Sequence, residues 1–291
     1  MRTLIHAATI VLALTPSAGM SQDFATGWWQ WLAEQGDVRA QANLGVMYTT
    51  GKGVPQDYAE AEKWFRLAAE QGEAKAQANL GWLYTTGKGV SQDYAEAMKW
   101  FRLAAEQGNA RAQQSVGAMY SNGHGVPQDY AEAEKWFRLA AEQGNADAQR
   151  ILGQMYAEST GVPQDYAEAE KWFRLAAEQG NADAQSQLGS MHREGTGVPQ
   201  DYAEAAKWYR LAADQGETQA QNNLGVMYAR GIGVPQDYIS AHMWYNIAAS
   251  AGSADSVSNR DNIAEQMQPA DISEAQRRAR TCLASNYSDC D

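Results

Sequence analysis

"GVPQDYAEAEKWFRLAAEQG" spans residues 53–72. Nearly the same string returns at 125–144 and 161–180, with close variants at 89–108 and 197–216. Recurrence at a fixed step marks a repeat architecture, in which units stack because none can bury its apolar face alone. Trp64, Trp100, Trp136, Trp172, Trp208 and Trp244 are 36 residues apart, as are the glycines from Gly72 to Gly252. Six units therefore cover 37–252, bounded as 37–72, 73–108, 109–144, 145–180, 181–216 and 217–252.

Each unit reads as two helices. In the first, Ala40, Leu44, Met47 and Tyr48 share one helical face. Gly45 recurs inside every such helix, where glycine costs roughly 1 kcal/mol, which points to a close helix–helix approach. Gly51 and Gly53 break the chain. Asp57 then N-caps the second helix, with Glu60 as its capping-box partner. Tyr58, Ala61, Trp64, Phe65, Ala68 and Ala69 form that helix's apolar stripe, and Glu62 with Arg66 makes a polar i,i+4 pair. All six regular tryptophans are expected in the core. Gly72 ends the unit in the left-handed region.

"AQANLGVMYTTGKGVPQDYAEAEKWFRLAAEQG" (40–72) resembles the Sel1-like repeat family, a branch of the tetratricopeptide-like solenoids. The resemblance rests on Ala40, Leu44-Gly45, Met47-Tyr48, Gly53-Val54-Pro55, Asp57, Ala61, Trp64, Ala68-Ala69 and Gly72, and on six agreeing copies. It implies an all-α fold, a right-handed α-solenoid of antiparallel helix pairs that offers a curved groove to a protein or peptide. The flanks depart from the unit. Residues 22–36 read as an N-terminal capping helix, with Trp28 where Trp64 would stand and Trp29 and Trp31 as apolar cover. Residues 253–291 read as C-terminal capping helices and a tail. Asp271 is the expected N-cap of the last helix, with Glu274 as its box partner.

The copies differ along one side of the first helix, at the series beginning Ala42, Val46 and Thr50. That side begins basic, with Arg39, Lys75, Arg111, Lys52 and Lys88, and becomes acidic or neutral at Asp147, Asp183 and Gln219. The candidate partner groove comprises Arg39, Asn43, Val46, Lys75, Asn79, Trp82, Arg111, Gln114, Arg150 and Gln154. Drift at exposed positions after duplication is the competing account. It should also have scattered the outside of the second helices, which vary mainly at the Glu62 position (Met98, Ala206, His242). Arg39 with Asn43, and Lys75 with Asn79, suit a peptide backbone with a carboxylate; a solvated helix face is the other reading. Trp82 is either an aromatic anchor or a packing residue against a neighbouring unit.

The net charge of −12, with 35 acidic against 23 basic side chains, argues against non-specific nucleic-acid binding. Residues 1–21 have the layout of a secretory signal peptide, with Arg2, an apolar run from Leu4 to Leu14, and small residues at Ala18 and Gly19. Its removal leaves no expected membrane span and a net charge of about −13. Cys282 and Cys290 are the only cysteines, and in an exported chain they read as one disulfide closing the tail. His124, His192 and His242 occupy three different repeat positions, so no metal site is expected. No catalytic motif is present and no cofactor is expected.

These readings converge on a non-enzymatic, monomeric protein- or peptide-binding scaffold in the periplasm of a Gram-negative envelope, or one secreted from it. A secreted effector acting on host proteins is the alternative. A third, a β-lactam-binding or -hydrolysing enzyme, comes from similarity to cysteine-rich Sel1-like proteins, but those carry a cysteine pair in each repeat and this chain has none there.

Overall fold

The computed structural model describes residues 22–290, so the expected signal peptide lies outside the described residues. The described residues form fifteen α-helices and no strand. The protein is an α-solenoid of antiparallel helix pairs, divided into two compact units after Gln107.

The first unit holds α1 (Gln22–Glu34), α2 (Val38–Thr50), α3 (Tyr58–Glu70), α4 (Ala74–Thr86) and α5 (Tyr94–Glu106), each packed on the next. The second holds α6 (Ala110–Asn122), α7 (Tyr130–Glu142), α8 (Ala146–Glu158), α9 (Tyr166–Glu178) and α10 (Ala182–Glu194). It continues through α11 (Tyr202–Ala213), α12 (Thr218–Arg230), α13 (Tyr238–Ser250), α14 (Ala254–Ala264) and α15 (Pro269–Ala284). The connections are short, which makes sequential neighbours antiparallel. No described helix is long and apolar enough to cross a membrane.

The turn inside a repeat is tied at both ends. Gly51 adopts φ +71° and donates its N–H to Met47 O at 2.8 Å. Asp57 donates its N–H to Tyr48 O at 2.9 Å, and its carboxylate accepts the N–H groups of Ala59 and Glu60 at 2.9 and 3.1 Å. Glu60 turns outward to Lys63 at 2.5 Å rather than back to the cap. The expected cap at Asp271 is also displaced. Helix α15 begins with Pro269 in its first turn, where proline's fixed φ suits the helix and its missing N–H costs nothing. Asp271 thus lies inside the helix, and Glu274 is bonded to Arg277 and Arg278, which hold its carboxyl down to about 2.

The recurrent mid-helix glycines are contact points. A Cβ on Gly45 would overlap the Phe65 ring, and one on Gly189 would meet the Tyr209 ring at 2.6 Å. The regular tryptophans are less uniform than the sequence suggests. Trp100, Trp172 and Trp244 are buried, whereas Trp64, Trp136 and Trp208 are half-buried. The reason is their location at the seam between repeats. Trp64 packs against Ala33, Ala40 and Leu44, and Trp172 joins the cluster of Phe137 and Leu152. Burial there depends on what the preceding repeat and the flanking helices supply. Trp244 is also sealed by Ala275, Ala279 and Cys282 of α15. Cys282 and Cys290 are disulfide-bonded, and both are buried.

A buried glutamine ladder also links the repeats. Gln77 donates Nε2 to Ala69 O at 3.1 Å, while its Oε1 accepts from Gln107 Nε2 at 2.7 Å. In the second unit Gln149 and Gln185 repeat this arrangement, donating to Ala141 O and Ala177 O and accepting from Gln179 and Gln215. In the sixth repeat Gln221 still donates to Ala213 O at 3.2 Å, but Ala251 stands where the partner glutamine would be. Gln221 Oε1 is consequently buried without a hydrogen-bond partner among the described residues. Ala251 has nearly the same backbone angles as Gln71. Ala251→Gln should therefore complete the ladder and stabilise the last repeat by about 1 kcal/mol. Hydrogen exchange of α13 and α14 would measure this, and unchanged or faster exchange would count against the ladder's energetic role.

Candidate functional site

Five of the ten candidate groove residues meet in the first unit. Arg39, Asn43 and Val46 on α2, with Lys75 and Asn79 on α4, line one depression of about 410 Å³. Arg39 and Lys75 are exposed, and Val46 is 44% exposed. The repeat explains the convergence. Arg39-x-x-x-Asn43 and Lys75-x-x-x-Asn79 are the same positions one period apart, so successive first helices present them side by side. The wall also contains Glu73, which the sequence reading did not include. Its carboxylate accepts the Ala76 N–H at 2.5 Å and so caps α4. Two cations, two side-chain amides and one apolar surface remain as the contact chemistry. Each amide can donate and accept at once, as an extended polypeptide backbone requires, and the cations suit a carboxylate.

Trp82 does not line this depression. It is half-buried, its ring 6.2 Å from the Tyr58 ring on the preceding repeat. Lys88 Nζ lies 5.0 Å from the Trp82 ring and 5.2 Å from Tyr58. Trp82 thus makes a packing contact with the preceding repeat, reinforced by a cation–π contact.

The second unit brings Arg150 and Gln154 together in a depression of about 300 Å³ that also contains Phe173, Asp183, Ser190 and Glu217. Arg150 Nε is 3.7 Å from Asp183 Oδ2, and Arg150 donates to Gln154 Oε1 at 3.4 Å. Glu217 caps α12 through the N–H groups of Gln219 and Ala220. This depression supplies its own acids for its arginine, following the charge trend along the first helices. Arg111 and Gln114, both on α6, fall in neither depression; Arg111 is exposed and Gln114 half-buried.

Among the described residues no three His, Cys, Asp or Glu side chains gather as a metal site. His192 and His242 are buried, and burial, followed by the charge of Arg260, pushes His242 down from its ordinary value.

A model of the Sel1 repeat matches six times, at residues 38–73, 74–109, 110–145, 146–181, 182–217 and 218–253. No curated protein matches the chain. Among solved structures, the chain is similar to a Sel1 repeat protein from Oxalobacter formigenes, at 39% identity and a TM-score of 0.72, covering 82% of this chain and 69% of that one. It is also similar to a protective antigen present in uropathogenic Escherichia coli strains that displays an SLR fold. There the identity is 33% and the TM-score 0.66, over 93% of this chain and 70% of the other.

Proposed function

We propose, from the premise that this chain belongs to the Sel1 repeat family, that it is a non-enzymatic scaffold of the bacterial cell envelope whose first-unit groove takes an extended acidic polypeptide segment. The observation that carries this reading is the gathering of Arg39, Asn43, Val46, Lys75 and Asn79 in one depression. Solenoids of stacked repeats use such extended surfaces for binding. The order of events follows from the chemistry. Arg39 and Lys75 attract the acidic segment, Asn43 and Asn79 hold its backbone, and Val46 covers an apolar side chain.

Export is supported by the signal-like layout of residues 1–21 and by the Cys282–Cys290 disulfide, since such bonds persist in oxidising compartments. The same disulfide uses both cysteines of the chain, so no cysteine pair is left to support the enzymatic alternative.

A library of acidic peptides screened on the purified protein tests the reading. Arg39→Glu with Lys75→Glu should abolish retention of the selected peptides while leaving the circular dichroism unchanged, because both side chains are exposed. Retention by wild type should also weaken as salt rises. Selected peptides that the double variant holds equally well would place the binding elsewhere.

A further inference from the structure

Repeat five lacks a side chain that three other repeats keep, and the space remains open. At the equivalent position, repeats one, three and four carry Glu62, Glu134 and Glu170. Glu134 Oε1 accepts from Arg138 Nε at 2.9 Å and from its terminal nitrogen at 2.6 Å, and the Tyr156 hydroxyl of the next repeat donates to it at 3.3 Å. Glu170 accepts from Arg174 Nε at 2.6 Å, and Glu62 from Arg66 Nε at 2.7 Å. This is a built carboxylate site, in which a guanidinium fork on one repeat and, in repeat three, a tyrosine hydroxyl from the next converge on one oxygen.

In repeat five the residue is Ala206, while Arg210 and Tyr228 keep the positions of Arg138 and Tyr156. Ala206, Arg210 and Tyr228 now line a depression of about 490 Å³ with Lys207, Leu224 and Val234. Arg210 has turned to Asp214, donating Nε to both carboxylate oxygens at 2.9 Å. Repeat two provides the contrast. There Met98 replaces the glutamate and Arg102 turns likewise to Glu106 at 3.2 Å, but methionine keeps the side-chain volume that alanine lacks. Only the alanine removes both the charge and the volume.

We propose that this depression binds a carboxylate on a short aliphatic stem, which takes the place of the missing glutamate side chain between Arg210 and Tyr228. Leu224, Val234 and the Ala206 methyl cover the stem. The carboxylate meets the guanidinium and the phenol, as Glu134 does in repeat three. The planar guanidinium fork of Arg210 matches the geometry of a carboxylate, and the incoming group shares it with Asp214. The residues concerned lie on α11, α12 and the turn after α12, and none belongs to the first-unit groove.

The test is an amide-resolved NMR titration of the intact protein. The probes are butyrate, its neutral isostere butyramide, and capped Ala-Glu-Ala and Ala-Gln-Ala peptides, all at constant ionic strength. Wild type should show saturable shifts at Ala206, Arg210 and Tyr228 with the two acids, and binding of the two amides should be at least about tenfold weaker. Ala206→Glu fills the site with its own carboxylate, and Ala206→Met fills it with the side chain that repeat two uses. Both should weaken acid binding by about tenfold or more. Because other repeats carry these residues at this position, both variants should fold, which the spectra themselves report. Tighter binding of the glutamate peptide than of butyrate assigns the carboxylate to a polypeptide, and equal affinities assign it to a free acid. The proposal is overturned by absence of saturable shifts, by equal binding of amides and acids, or by undiminished binding in both variants.

Discussion

Replacing Trp244 with alanine is expected to destabilise the last repeats by about 3–5 kcal/mol. The side chain is 1% exposed and lies in a cluster with Tyr209, Leu224 and Met227. The same cluster includes Ala275, Ala279 and Cys282 of α15, so the cavity would open where three repeat segments meet. The guanidinium of Arg210 stands 5.4 Å over the ring, and this contact is lost as well. Surroundings held by a disulfide and two helices collapse poorly into a void, which puts the expected loss in the upper part of that range. Trp64→Ala, at the same repeat position but half-buried, should cost roughly half as much. Stacked repeats need not unfold in one step, so each loss is best read from hydrogen exchange of the helices around the site rather than from a single global midpoint. Equal losses at the two positions would contradict the burial difference.

Gly45→Ala should also destabilise, although alanine is the better helix former. Inside α2, the new methyl would overlap the ring of Phe65, which is 1% exposed and fixed among Ala61, Ala68 and Leu80. Overpacking of this kind costs about 1–3 kcal/mol and outweighs the gain of about 1 kcal/mol in helix propensity. Gly27 in α1 is the matched control. A Cβ there meets nothing within 4 Å, so Gly27→Ala should stabilise by about 0.5–1 kcal/mol. Opposite signs are thus expected for one chemical change in two helices of the same unit. Hydrogen exchange in α1 to α3 reads both, and stabilisation by Gly45→Ala would show that α2 and α3 do not need their close approach.

The fold was legible because its causes are local and repeated. Asp57 caps, Gly51 turns and Tyr58 to Ala69 form a stripe within a few residues of one another, and six copies cancel the ambiguity of any single one. One exception arose where the local copy was not repeated. Asp271 follows the capping pattern, but Pro269 starts the helix earlier. The candidate site was partly legible for the same reason, since Arg39 with Lys75 and Asn43 with Asn79 are period-related and share a depression. Arg150 is legible as a cation, but its neighbour Asp183 belongs to the next repeat, and the pairing depends on how the two repeats stack. The glutamine ladder is not legible in the sequence because glutamine is ordinarily a surface residue, and only stacking buries Gln77 between Ala69 O and Gln107.

The sequence by itself determined the period, the two helices per unit, their caps and turns, and the glycine contacts, because each follows from backbone preferences and apolar spacing within one unit. The tertiary structure decided what happens between units. It set which tryptophans are sealed and against what Trp82 rests. It also decided whether an arginine faces outward or finds an acid, and that a space lies beside Ala206. The physical reason is that burial and cavity volume are properties of surfaces brought together. A side chain's own neighbours in sequence do not specify what the next repeat lays over it.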